Sequence, residues 1–171
     1  MIQYPSWLKI KRCTRIDTFD LENEQNGYLI DILNRNDEIM KTRNGELFQQ
    51  FYISSVLKNK FKGLHIHPVK EDIYYCLSGK ICLVFYPEII ENKDVDKIKL
   101  DTNKFISVEL EENNPLTISF PSKYPHGFFG IDDLSIIINY RNPAWTLDDN
   151  LQYEIKCDEI IKKLRTKYKT N

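Results

Sequence analysis

Residues 62–80, "KGLHIHPVKEDIYYCLSGK", hold two of the chain's three histidines one residue apart, followed by an apolar run that stops at Ser78-Gly79. Side chains two apart on a strand share a face, so His65 and His67 project together while Leu64 and Ile66 project the other way. The runs "DIYYCL" and "KICLVFYP", joined by Ser78-Gly79, predict an antiparallel hairpin, since glycine supplies the backbone freedom of a tight turn.

Outward from this segment, residues from about 47 to 143 read as short β-branched and aromatic runs separated by turn residues, an all-β signature. "KFISVELEE", "PLTISFP" and "LSIIINYRNP" continue the series. The run Ile136-Ile137-Ile138 is too apolar for a strand with one wet face and is expected deep between two sheets. "GYLIDILNRNDEIM" is ambiguous between strand and short helix. Ile155, Ile160, Ile161 and Leu164 predict an amphipathic C-terminal helix over about 155–168. "EIIENKDVDKIKLDTN" is expected as a long surface loop. Such a series closes as a jelly-roll β-sandwich or small barrel of the cupin kind, one domain over 1–171 with a cavity at one mouth.

Composition bounds the function. With 171 residues and 42% hydrophobic content the chain buries a normal core without staples. Its 24 Lys and Arg nearly cancel 25 Asp and Glu, which leaves no global field for nucleic acid or an anionic membrane. Cys13, Cys76, Cys82 and Cys157 have no CxxC spacing and read as free thiols in a reducing compartment. No run of about eighteen apolar residues occurs, and "MIQYPSWLKIKRCTRI" lacks the apolar core of a signal peptide. A cytoplasmic protein is expected.

The histidines support two chemistries. His65, His67, Glu71 and His126, with Gly79, offer the donor types of a metal-binding cupin, imidazoles plus one carboxylate. Alternatively, an imidazole in a water-poor barrel is a natural general base.

"QFYISSVLKNKFKGLHIH" and "CLSGKICLVFYP" resemble the region around "RGLH" and the following strand pair of the dTDP-4-dehydrorhamnose 3,5-epimerases, a cupin-fold family. "PHGFFGIDDLSIIINYRNP" is similar to that family's "AHGF" and "NYY-x-P" stretch, and "NEQNGYLIDI" to its "D-x-R-G-x-F". The resemblance covers about residues 50–143. It implies a homodimeric, cofactor-independent epimerase, without bound metal, acting on a nucleotide-diphosphate 4-keto sugar in surface-polysaccharide synthesis.

It implies His65 as base and Tyr140 as opposing acid. Lys62 and Gln50, with His67, His126 and Asp72, are implied on the substrate side. Three departures stand out. Asp72 replaces a lysine facing the developing enolate, Asn26 replaces an arginine, and the aspartate that orients the base has no clear counterpart. Lys70 or His67 could then serve the oxyanion. The H-x-H pair also resembles sugar 3,4-ketoisomerases, and a non-catalytic sugar-binding cupin or a metal-dependent cupin are the other readings.

Overall fold

The computed structural model describes residues 4–19, 23–34, 36–41, 48–90, 98–144 and 153–168. The strands are β1 (Lys9–Arg12), β2 (Arg15–Phe19), β3 (Gln25–Ile30), β4 (Gln50–Leu57), β5 (Phe61–Ile66), β6 (Glu71–Ser78), β7 (Lys80–Phe85), β8 (Ile106–Glu111), β9 (Leu116–Phe120), β10 (His126–Gly130), β11 (Leu134–Asn142) and β12 (Tyr153–Glu154). One helix, α1 (Asp158–Lys167), follows. Two five-stranded antiparallel sheets, β1-β9-β6-β11-β4 and β12-β5-β10-β7-β8, face each other, and β2 and β3 form a separate two-stranded ribbon. This is the all-β, cupin-type sandwich that the short strands predict.

Alternation along the strands builds three apolar layers. Val56, Tyr74, Cys76, Ile81, Leu83, Phe85, Leu110, Ile118, Phe120 and Ile137 fill the space between the sheets. On the outer side of the β5 sheet, Leu64, Ile66, Val84 and Phe129 pack with Ile155, Ile160 and Leu164. On the outer side of the β6 sheet, Tyr75 and Ile138 meet Cys13, Ile30 and Ile32. Among the described residues no helix is long and apolar enough to cross a membrane.

Three sequence expectations change. The segments flanking Gly79 do not form a hairpin. β6 pairs with β9 and β11, whereas β7 pairs with β8 and β10 in the opposite sheet. Gly79 (φ +77°) therefore turns the chain from one sheet into the other, and an added Cβ would lie 2.8 Å from the Leu134 carbonyl oxygen. Near-continuous burial of β6 and β7 is the reason, because a strand covered on both faces lacks the alternation that distinguishes neighbours from crossovers. The isoleucine run is likewise divided. Ile137 enters the central layer and Ile138 packs outward, toward Ile30 and Ile32.

The C-terminal helix begins at Asp158, and Ile155 donates its amide to the Leu64 carbonyl at 2.9 Å as an extension of β12. The ambiguous N-terminal segment resolves into β3 and a 3-10 turn at Glu38–Met40. All four cysteines are free, and Cys13, Cys76 and Cys82 are buried. The expected surface loop falls partly on residues 91–97, outside the described residues.

Candidate active site

Lys62 and His65 on β5, His67 just past its end, two positions on β4 and three on β11 project toward one hollow between the sheets. It is a cavity of about 120 Å³ lined by Tyr52, Ser54, Lys62, His65, His67, Tyr74, Phe128, Ile137, Asn139 and Arg141. β4 contributes Tyr52 and Ser54, and β11 contributes Ile137, Asn139 and Arg141, each set with the strand period of two. A larger groove beside α1, about 440 Å³, is lined by residues such as Ile98, Phe105 and Cys157 and contains none of the histidines.

The three imidazoles converge. The ring centroids of His65 and His67 are 6.0 Å apart, those of His67 and His126 5.2 Å, and those of His65 and His126 6.4 Å. As the alternation predicts, His65 and His67 face the cavity while Leu64 and Ile66 turn into the layer under α1. His65 is half-buried, whereas His67 and His126 are each only 2% exposed. Burial pushes the imidazolium form of His67 far down, helped by the positive charge of its neighbours. Burial also pushes His126 down to about 4, against the opposing pull of Asp72. Both rings are therefore neutral near pH 7.

Behind His67 lies Asp72, completely buried. Arg141 donates to its Oδ1 from Nε at 3.1 Å and from Nη2 at 3.0 Å, and His67 Nε2 is 4.0 Å from its Oδ2. This buried acid thus carries its own counter-charge. Arg141 also lies over the Tyr52 ring, 4.9 Å from the centroid. Asn139 donates from Nδ2 to the Tyr52 hydroxyl. Burial drives the Tyr52 phenol up, with Asp72 adding to the shift, so the hydroxyl keeps its proton. Tyr74 is raised in the same way.

At the mouth, Lys62 is exposed and donates to Ser54 Oγ at 2.9 Å and the Ser55 carbonyl at 3.1 Å. Gln50 lies on the same side of β4 as Tyr52, half-buried and opposite Arg141 in the register, but outside the cavity lining. Lys70 is buried just before β6, its ammonium form disfavoured by burial and by Arg141, and it does not line the cavity.

Tyr140, the acid that the resemblance implies, is not among the residues lining this cavity. It falls between Asn139 and Arg141, which face the cavity, and so points to the opposite side of its sheet. There its hydroxyl donates to the Phe48 carbonyl at 2.8 Å and its ring packs against Phe48 and Phe51. Among the described residues, the phenols that reach the hollow are Tyr52 and Tyr74. Sequence reasoning missed these two, together with Asn139 and Arg141. The signal was present in the polar residues Asn139 and Arg141, one strand period apart on either side of Tyr140 and in step with the apolar Ile137.

No protein-family model matches the sequence, and no curated protein does. Solved structures do. A dTDP-4-dehydrorhamnose 3,5-epimerase from Elizabethkingia anophelis superposes with a TM-score of 0.66 at 18% identity, over 92% of this chain and 80% of that one. A dTDP-6-deoxy-D-glucose-3,5-epimerase from Legionella pneumophila, in complex with dTDP-4-keto-L-rhamnose, gives 0.69 at 14% identity, over 93% and 79%. A dTDP sugar isomerase from Desulfovibrio desulfuricans gives 0.63 at 14%, over 91% and 88%. Across more than nine-tenths of its length, this chain therefore has the fold of the dTDP-4-dehydrorhamnose 3,5-epimerases.

Proposed function

We propose that this protein is an isomerase of nucleotide-linked 4-keto sugars, inverting a carbon next to the ketone by removing and returning a proton. The observation that carries this reading is that one small cavity brings together a half-buried imidazole, His65, and a protonated phenol, Tyr52, with the cations Lys62 and Arg141 on its wall. The ketone acidifies the neighbouring carbon–hydrogen bonds, so His65 takes the proton as general base and Tyr52 returns one from the other strand layer. Each such group contributes about 10² to 10⁴ in rate, and the rest must come from donors aimed at the enolate oxygen. Asn139, Tyr74 and Arg141 are the donors on this wall.

The cavity accommodates the sugar end alone. The diphosphate then lies outside, over Lys62, where binding energy remote from the reacting carbons orients the ring. A fully buried Asp72 would repel an enolate if bare, and its pairing with Arg141 removes that objection.

Incubation in D₂O with a panel of dTDP-, GDP- and UDP-linked 4-keto sugars tests the proposal. Deuterium should enter at the carbon beside the ketone with one of them, and no incorporation from any would overturn the reading. Tyr52→Phe should lower the exchange rate by about 10² to 10⁴ without changing the fold. The side-by-side placement of His65 and His67 on one wall favours a second reading, 3,4-ketoisomerisation, whose mark is a product with its ketone at C3.

We also infer a homodimer. β4 is an edge strand, and Phe51, Ile53 and Leu57 on its outer side are 59%, 62% and 57% exposed. A second copy of the chain would cover this edge.

A further inference from the structure

We infer that His67, Asp72 and His126 form a binding site for one divalent first-row transition ion at the floor of the cavity. Each offers one donor atom, and the three atoms lie within 4.8 Å of one another. All three side chains are at most 2% exposed. Asp72 Oδ2 and His126 Nε2 lack a hydrogen-bond partner among the described residues, and His67 Nε2 lies 4.0 Å from Asp72 Oδ2. Buried polar atoms are rarely left so, and two on side chains that converge with a third donor point to a common ligand.

The surrounding contacts fix how each donor is presented. His126 Nδ1 lies 2.9 Å from the Tyr124 carbonyl oxygen and donates to it. That bond leaves the lone pair on Nε2, directed away from the backbone. Asp72 gives Oδ1 to both nitrogens of Arg141, which holds the carboxylate in place and leaves Oδ2 for a second partner. An imidazole hydrogen-bonded through its far nitrogen and a carboxylate hydrogen-bonded through its far oxygen are the outer partners that metal ligands characteristically have. Bonds of about 2.0–2.2 Å around an ion would bring the donors closer than they now lie.

Two imidazoles and one carboxylate suit zinc, iron(II), manganese or nickel, and three protein ligands leave a position for an exogenous oxygen. Because His67 also lines the cavity, that oxygen would belong to the cavity's occupant, for which the ion acts as a Lewis acid. His65, whose ring lies 6.0 Å or more from those of the other two histidines, is not one of the three donors. The inference replaces the expectation, drawn from the family resemblance, of a metal-free site. It does not depend on the isomerase reading.

The test uses the whole chain, freed of metal by dialysis against a chelator and titrated with Zn²⁺ or Co²⁺ in the absence of any sugar. Wild type should take up one ion per chain, show ligand-field absorption with Co²⁺, and unfold at a higher temperature with Zn²⁺ than without. His126→Gln and Asp72→Asn should each weaken binding at least tenfold. Should the variants fail to fold, X-ray absorption of the wild-type cobalt complex should still report two imidazole nitrogens and one carboxylate oxygen. Absence of uptake by wild type, uptake of unchanged affinity in both folded variants, or thiolate coordination would each overturn the inference. Since no sugar enters the experiment, its failure is separate from failure of the isomerase reading.

Discussion

Asp72 has no exposed surface and Arg141 only 7%, so the two charges stand or fall together. Removing one partner of a buried pair strands the other, at a cost of about 3–5 kcal/mol. Arg141→Met should therefore destabilise the protein by that order in urea unfolding, and adding Asp72→Asn should recover part of the loss. Additive losses would show that the pair is not coupled. The histidine pair was legible at this scale because the period of two along "LHIHP" needs no tertiary information. Tyr140 was not. Motif order assigned it, yet the parity of Asn139 and Arg141 determines which way its ring points.

Between β5 and β10 the backbones come unusually close. Gly63 has φ +115°, and an added Cβ would sit 2.8 Å from both the Gly127 Cα and the His126 carbonyl oxygen. A side chain there is strained by its backbone and blocked by main chain, neither of which a rotamer change relieves. Gly63→Ala should cost about 1–3 kcal/mol and push the His65 strand away from His126. Equilibrium unfolding checks the first effect, and loss of exchange activity in the folded fraction the second. An alanine variant as stable and active as wild type would contradict the packing described. Element types were readable from the β-branched runs, but partners were not. β6 and β7 are both apolar on two faces, so the Ser78-Gly79 turn reads equally well as a hairpin or as the sheet-to-sheet corner it is.

Across the whole molecule, each sheet has its outer side partly covered by the chain itself, by α1 on one and by β3 with Ile32 on the other. The edge at β4 is left with Phe51, Ile53 and Leu57 open. Ile53→Asp should convert a dimer to a monomer in sedimentation velocity while leaving β-sheet circular dichroism unchanged, and a wild-type monomer at all concentrations would contradict the inferred dimer. The closed two-layer form was readable from strand spacing and the lack of a long internal helix. The cavity's position was not, because it depends on two strands far apart in sequence, β4 and β11, lying side by side and facing β5 across the core.

On the proposed reading the chemistry belongs to the inner face, where His65 points, and not to the outer face, where Tyr140 points. The most direct test compares deuterium incorporation into a 4-keto nucleotide sugar, read by proton NMR, for wild type, His65→Ala and Tyr140→Phe. His65→Ala should lose exchange, while Tyr140→Phe should keep it and give up only the hydrogen bond to Phe48, about 0.5–1.5 kcal/mol of stability. Exchange that survives in His65→Ala, or that is lost in a folded Tyr140→Phe, would contradict it.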